Sequence, residues 1–212
     1  MRTVYLLGVG HNTPVFMDLV EQSSWEIKGL YHFDSSRTGE YVNNIPILGS
    51  FEELFALGQL NGRNFVLTMG DNKLRSIIAS KIRLQGGHTP SIFHPSTVIS
   101  KRSTISEKGV IVNAFTIIQA NASIGDDTII LSGVNISHDN NIGRGCFIAG
   151  GAIIGAYTRI GEFVFIGQGS LTISGKVESI GDFAFVGAGS LVTRSIDPNV
   201  TVSGRPARSI ER

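Results

Sequence analysis

Five histidines, at positions 11, 32, 88, 94 and 138, are the side chains of this 212-residue chain whose ordinary titration range suits proton transfer near neutral pH. Four of them fall within the first 94 residues; His138 stands alone in the second half, with Asp139 directly after it. A carboxylate beside an imidazole can orient the ring and stabilise its protonated form. Adjacent residues on a regular strand point to opposite faces, so a working pair here requires a corner in the backbone. Gly8-Val9-Gly10 offers different chemistry, since it follows a short apolar run and precedes a helix-like one. In that setting backbone N–H groups can cradle a phosphate. Asp34 lies 24 residues past Gly10, where a dinucleotide fold places its ribose-binding acid, and Arg75 could meet a phosphate charge. Position 13 is Thr, so the GxGxxG pattern lacks its third glycine, which argues against NAD. The one histidine of the second half falls short of a three-histidine zinc site, and no metal is expected.

The elements that must position these residues have two different periods. Thr3–Leu7, Glu26–Tyr31, Ile45–Leu48 and Phe65–Met69 read as strands. Between and after them, Pro14–Val20 (with Thr13 as N-cap), Phe51–Leu57 (with Ser50 as N-cap) and Asn72–Leu84 read as helices. In the last, Leu74, Ile77, Ile78 and Ile82 mark an apolar helical face. Alternation of strand and helix implies parallel βαβ units, an α/β Rossmann-like domain over residues 1–94.

From residue 95 to residue 212 the period changes to six. Every sixth residue from Ile99 gives Ile105, Ile111 and Ile117, and a one-residue slip leads to Ile124, Ile130, Ile136, Ile142, Ile148, Ile154, Ile160, Ile166 and Thr172. A two-residue slip, with a loop expected over Thr172–Glu178, then gives Ile180, Val186 and Val192. Thr172 is the only one of these that is neither Ile nor Val, and Gly follows directly at 125, 143, 155, 161, 167, 181 and 187. Such hexapeptides specify an all-β parallel β-helix, three repeats to an 18-residue triangular turn, with the isoleucines stacked inside and glycines at crowded or positive-φ corners.

Composition narrows the classes further. A net charge of +1 leaves no basic excess for nucleic acid, and a single Cys excludes a disulfide framework or a thiolate cluster within one chain. No apolar run is long enough to span a membrane, and MRTVYLLGVGHN breaks too early for a signal peptide, so a soluble cytoplasmic protein is expected. Charged residues at only 17% and flat coil sides predict apolar faces that self-association would cover.

The opening Gly8-Val9-Gly10-His11-Asn12, the hexapeptides, Ser137-His138-Asp139 and the tail Gly204-Arg205-Pro206-Ala207-Arg208 together resemble the bacterial sugar acyltransferases. That group includes sialic acid O-acetyltransferases and the N-acetyltransferases of UDP- and GDP-amino sugars. The resemblance, which runs from about residue 3 to residue 210, implies a homotrimer of left-handed β-helices with acetyl-CoA between neighbouring coils. It implies N-acetylation of a nucleotide-linked amino sugar (UDP-, GDP- or dTDP-) for surface polysaccharide or glycan synthesis, with His138 as general base and Asp139 as its partner. Ala156, 18 residues on, would give a backbone N–H to the thioester oxygen, and Gly187, Gly204, Arg205 and Pro206 would line the CoA arm. Gly8, Gly10, His11, Asp34 and Ser35 would contact the nucleotide, with Gly70, Asp71 and Asn72 lining the same cleft. The sequence departs from the N-acetyltransferase pattern at Phe147 and Leu131, where those enzymes carry His and Asn; Asn135 and Asn141 could supply polar contacts instead. Sugar O-acetylation and a non-catalytic sugar-nucleotide-binding scaffold are the alternatives.

Overall fold

The computed structural model describes residues 2–211, which divide into two compact units, residues 2–92 and 93–211. In the first, β1 (Arg2–Leu7), β2 (Trp25–His32), β3 (Tyr41–Val42), β4 (Ile45–Ser50) and β5 (Phe65–Leu67) form one sheet in the order β3-β4-β2-β1-β5. The four strands β4-β2-β1-β5 are parallel, and β3 pairs antiparallel with β4. Val4, Leu6, Leu7, Ile27 and Leu30 are all buried, so neighbouring positions on both faces of the central strands are covered.

Three helices accompany this sheet: α1 (Thr13–Gln22), α2 (Phe51–Ala56) and α3 (Asn72–Leu84). α2 begins as Ser50 requires, in a reciprocal capping box. The Glu53 N–H donates to Ser50 Oγ at 3.1 Å and the Ser50 N–H donates to Glu53 Oε2 at 2.6 Å. α1 differs from expectation, because Asn12 is the N-cap and makes no side-chain cap bond. Thr13 is instead the first helical residue, and its Oγ1 accepts the Gly10 N–H at 2.8 Å, closing the glycine loop. The apolar face read on α3 is only partly the buried one. Arg75, Ser76, Ala79 and Ile82 are buried, whereas Leu74 and Ile77 are exposed.

Up to Leu191–Val192 the second unit is a parallel coil of two-residue strands laid into three sheets, in which strands three apart in the chain pair; Thr201–Ser203 then pairs with Phe185–Val186, and Arg208–Ser209 pairs antiparallel with Thr201–Ser203. Ile118 pairs with Ile136 and Ile136 with Ile154, a rise of one coil per 18 residues. Ile130, Ile136, Ile142, Ile148, Ile154, Ile160 and Ile166 are buried in one continuous core with Val112 and Ile118. Two residues earlier in many repeats stands a small or hydroxyl side chain that also faces inward, such as Ala122, Thr128, Cys146, Ala152 or Thr158. The buried hydroxyls are satisfied by backbone: Thr128 Oγ1 donates to the Gly143 carbonyl at 3.0 Å and Thr158 Oγ1 to the Gly155 carbonyl at 3.0 Å.

The first slip lies earlier than the spacing suggested. Val112 pairs with Ile130 and Ile118 with Ile99, so the interior residues are Val112 and Ile118 rather than Ile111 and Ile117. Ile118 is 1% exposed and Ile117 is 38% exposed. The extra residue is taken up between Ile105 and Ile111, where Gly109 turns with φ +70. An Ile-Val and an Ile-Ile dipeptide hide such a shift, because either member fits an apolar pattern. The two-residue slip is accommodated between Thr172 and Ser179, since Ile160 pairs with Ile180, 20 residues on. Thr172 breaks the Ile/Val series for a visible reason: its Oγ1 accepts the Gly155 N–H at 2.7 Å.

Glycine serves two separate purposes in this coil. A Cβ on Gly143 would lie 2.6 Å from the Gly161 carbonyl oxygen, and the glycines that follow interior isoleucines are of this crowded kind, without positive φ. Left-handed backbone falls on other residues, stacked in columns at the corners. One column runs Asn121, Asp139, Tyr157 and Gly175, with φ of 61, 56, 64 and 69°.

Candidate active site

His138 and Asp139 occupy a corner of that column, and the corner brings them together. Asp139 has φ +56, outside the extended region, so its carboxylate turns back toward the preceding side chain instead of pointing to the opposite face. His138 Nδ1 and Asp139 Oδ2 are 2.6 Å apart. The coil below fixes the pair: Asn121 Nδ2 donates to Asp139 Oδ1 at 2.9 Å, and the His138 N–H donates to Gln119 Oε1 at 3.1 Å. Asn140, fully buried, locks the turn by donating to the Ser137 carbonyl at 2.8 Å and accepting the Thr158 N–H at 2.8 Å.

Both side chains of the pair are partly open to solvent. The hydrogen bond from His138, with that from Asn121, holds the Asp139 carboxyl below the usual carboxylate range. Asp139 is thus ionised at neutral pH, an acceptor for Nδ1–H, and this tautomer leaves Nε2 as the nitrogen able to take a proton.

One coil higher, the Ala156 N–H donates to Ser174 Oγ at 2.9 Å, so this amide already has a rotatable acceptor. Phe147 is buried on a different sheet face, in a ladder with Phe165 and Phe185 whose rings stack at 5.5 and 4.5 Å. Near the carboxyl end, Gly204 has φ +99, Arg205 is exposed and donates to the Gly189 carbonyl at 3.2 Å, and the Arg205–Pro206 bond is cis. The Gly187 carbonyl accepts from Ser190 Oγ at 2.6 Å.

In the first unit, a cavity of about 480 Å³ opens at the carboxyl ends of β1, β2 and β5. Gly8, Gly10, His11, Gly70 and Asp71 line it. Gly8 has φ +100, and a Cβ there would come within 2.9 Å of Met69 Cγ. Gly10 does not present a free amide, because Thr13 holds its N–H. Asp34 and Ser35 are not among the lining residues; Asp34 caps the turn Ser35–Arg37 by accepting the Ser36 N–H at 2.9 Å, and bonds from Ser36 keep its carboxyl below the usual range. Asn72, expected to line the cleft, is likewise not among the lining residues; it opens α3 and accepts from Arg75 Nη2 at 2.9 Å. Arg75 itself is buried and also donates to the Met69 carbonyl at 3.0 Å, behind the cavity wall.

Val9 and Asn12 of the glycine loop also line it, and His32, Phe33, Phe51, Thr68, Met69 and Leu74, which were not anticipated, complete the lining. Phe33 is 75% exposed, and its ring lies 4.1 Å from that of His32, whose Nδ1 accepts the Asp34 N–H at 3.0 Å. An exposed aromatic at the end of a parallel strand was the signal available in the sequence. Phe65–Leu67 ends two residues before the expected strand limit, and this turns Thr68 and Met69 out of the sheet into the cavity wall.

No protein-family model matches the chain. It is 27% identical over 202 residues to the GDP-perosamine N-acetyltransferase of Escherichia coli O157:H7, covering 94% of this chain and 90% of that protein. The structure of a histidine variant of perosamine N-acetyltransferase from Caulobacter crescentus, in complex with CoA and GDP-perosamine, matches with a TM-score of 0.90 at 27% identity, covering 100% of this chain and 98% of that one. The acetyltransferase domain of PglB from Neisseria gonorrhoeae, in complex with acetyl coenzyme A, matches with a TM-score of 0.88 at 25% identity over 99% of each chain. The homologues of this chain are therefore sugar acetyltransferases of the hexapeptide-repeat family. Among the described residues no group of three or more His, Cys, Asp or Glu could hold a metal ion, and no helix is long and apolar enough to cross a membrane.

Proposed function

We propose that this protein is an acetyl-CoA-dependent N-acetyltransferase of a nucleotide-linked amino sugar. The observation that carries the assignment is the His138–Asp139 pair, 2.6 Å apart on an accessible coil corner, in a chain alike from end to end to enzymes of that activity. His138 Nε2 removes the proton of the sugar amine as its nitrogen attacks the thioester carbonyl. A tetrahedral oxyanion forms and collapses, the C–S bond breaks, and the CoA sulfur leaves with a proton. Asp139 stabilises the imidazolium formed on the way. The Ala156 N–H faces the oxyanion once Ser174 Oγ rotates off it, a donor of the kind that gains most where charge develops. Gly187, Gly204, Arg205 and Pro206 line the CoA arm.

The first unit acts as a Rossmann-like nucleotide domain. Its cavity at the strand carboxyl ends holds the nucleotide, the α/β position where such ligands bind. Gly8, Gly10, His11, Gly70 and Asp71 stand in its wall, while Asp34 and Ser35 act from the adjoining turn. The second unit is a left-handed coil, and the protein is a homotrimer. Support for self-association comes from one sheet face that exposes Val98, Ile117 and Ile153, with Asn135 in the coil between the last two, apolar area a closed ring would cover. On this reading the reaction runs in the cytoplasm and feeds surface polysaccharide or glycan synthesis.

A panel of UDP-, GDP- and dTDP-linked sugars, each with a free amine or a hydroxyl at the same carbon, tests the function by CoA thiol release. Turnover confined to amino sugars is the expected result. Turnover of the hydroxy sugars alone would reassign the protein as an O-acetyltransferase, and nucleotide-sugar binding without any turnover would make it a scaffold.

A further inference from the structure

The corner column that carries Asp139 continues one coil higher to Tyr157, which has φ +64 and is 63% exposed. Asn and Asp tolerate left-handed backbone and Gly adopts it freely, so Asn121, Asp139 and Gly175 suit the column. A bulky aromatic ring is strained there, and so exposed a ring gains little from burial to compensate. Phe163 and Phe183 occupy another left-handed column, but they stack on each other at 5.0 Å. Tyr157 contacts His138 instead: the ring centroids are 5.1 Å apart and the planes are at 89°.

On the reading that His138 is the general base, we propose that Tyr157 is a positioning residue for it. The two contacts on the imidazole restrain different motions. The Nδ1 bond to Asp139 fixes rotation within the ring plane, and the perpendicular Tyr157 ring limits tilt of that plane from the coil above. Together they aim Nε2 along one direction, which matters because a small displacement of a base from its line of attack is costly in rate. The contact is made by the ring, so the phenol hydroxyl is dispensable.

Tyr157→Gly removes the ring and also relieves the left-handed strain, so its effect on function separates from its effect on folding. Steady-state kinetics and thermal melting are measured for Tyr157→Gly and Tyr157→Phe, each alone and combined with His138→Ala. The expected result for Tyr157→Gly is a kcat about tenfold lower, with both KM values within about twofold and a Tm equal to or above that of the parent. Tyr157→Phe should retain kcat within about threefold. In the His138→Ala background neither change should lower the residual rate further, since there is no ring left to aim. An unchanged kcat for Tyr157→Gly would overturn the proposal, as would a loss that persists without His138, or a Tyr157→Phe variant as impaired as the glycine one. Full activity of His138→Ala alone would instead remove the general-base assignment on which it rests.

Discussion

His138 Nδ1 and Asp139 Oδ2 lie 2.6 Å apart although the two residues are adjacent in the chain. Neighbours on a strand cannot meet in this way; the φ of +56 at Asp139 makes it possible. If the carboxylate orients the ring and stabilises its protonated form, Asp139→Asn keeps the shape and loses the charge. The expected outcome is a kcat lower by about 10–100-fold with both KM values little changed, read from initial rates of CoA release.

The same carboxylate gives a pH prediction. Its pKa is depressed in the folded state by bonds from His138 and Asn121. A depressed carboxylate contributes stability that is fully present above its unfolded value and is lost as pH falls through the folded one. The Tm difference between the parent and Asp139→Asn should therefore persist undiminished from neutral pH down to about pH 5 and shrink only below about pH 4. Thermal melts across that range check it; a difference already vanishing between pH 7 and about pH 6 would contradict it.

Phe33 should report on the nucleotide. It is the exposed ring beside the first unit's cavity, and base stacking on an aromatic side chain is worth about 1–3 kcal/mol. Phe33→Ala should raise the KM for the sugar nucleotide about tenfold and leave the KM for acetyl-CoA unchanged. A matching change in both constants would exclude a local role.

The register of the coil is testable by a pair of neighbours. Ile118 is in the stacked core and Ile117 faces outward. Ile118→Ala should cost about 2–5 kcal/mol, and Ile117→Ala, which opens no cavity in the stacked core, should cost clearly less. Denaturant unfolding of the two variants side by side decides between this register and the reverse.

The contrast between Ile117 and Ile118 shows where sequence reading stopped. A six-residue period is specific enough to define a parallel coil, because neither helix nor plain strand repeats on it. It could not place the slip, since Ile111-Val112 and Ile117-Ile118 offer an apolar side chain in either frame. The His138–Asp139 pair was visible as a dipeptide, but its geometry depended on a left-handed corner that a non-glycine residue does not advertise. Tyr157 was hidden for a related reason: its contact with His138 arises from the 18-residue rise of the coil, and no local pattern marks a tyrosine as part of such a column. In the first unit the glycine loop marked the cavity, yet Asp34 was expected at the nucleotide from motif spacing and from the family resemblance. The chain instead uses Asp34 to cap a turn and brings His32 and Phe33, from the end of β2, to the wall.

The central claim, that His138 is the general base of acetyl transfer to a sugar amine, is tested most directly by His138→Ala. Turnover is measured by CoA release with the amino-sugar nucleotide found active in the panel, and acetyl-CoA affinity by calorimetry on the same preparation. The account predicts a kcat lower by about 10²–10⁴-fold with acetyl-CoA affinity within about twofold of the parent. Near-normal turnover in that variant would contradict it.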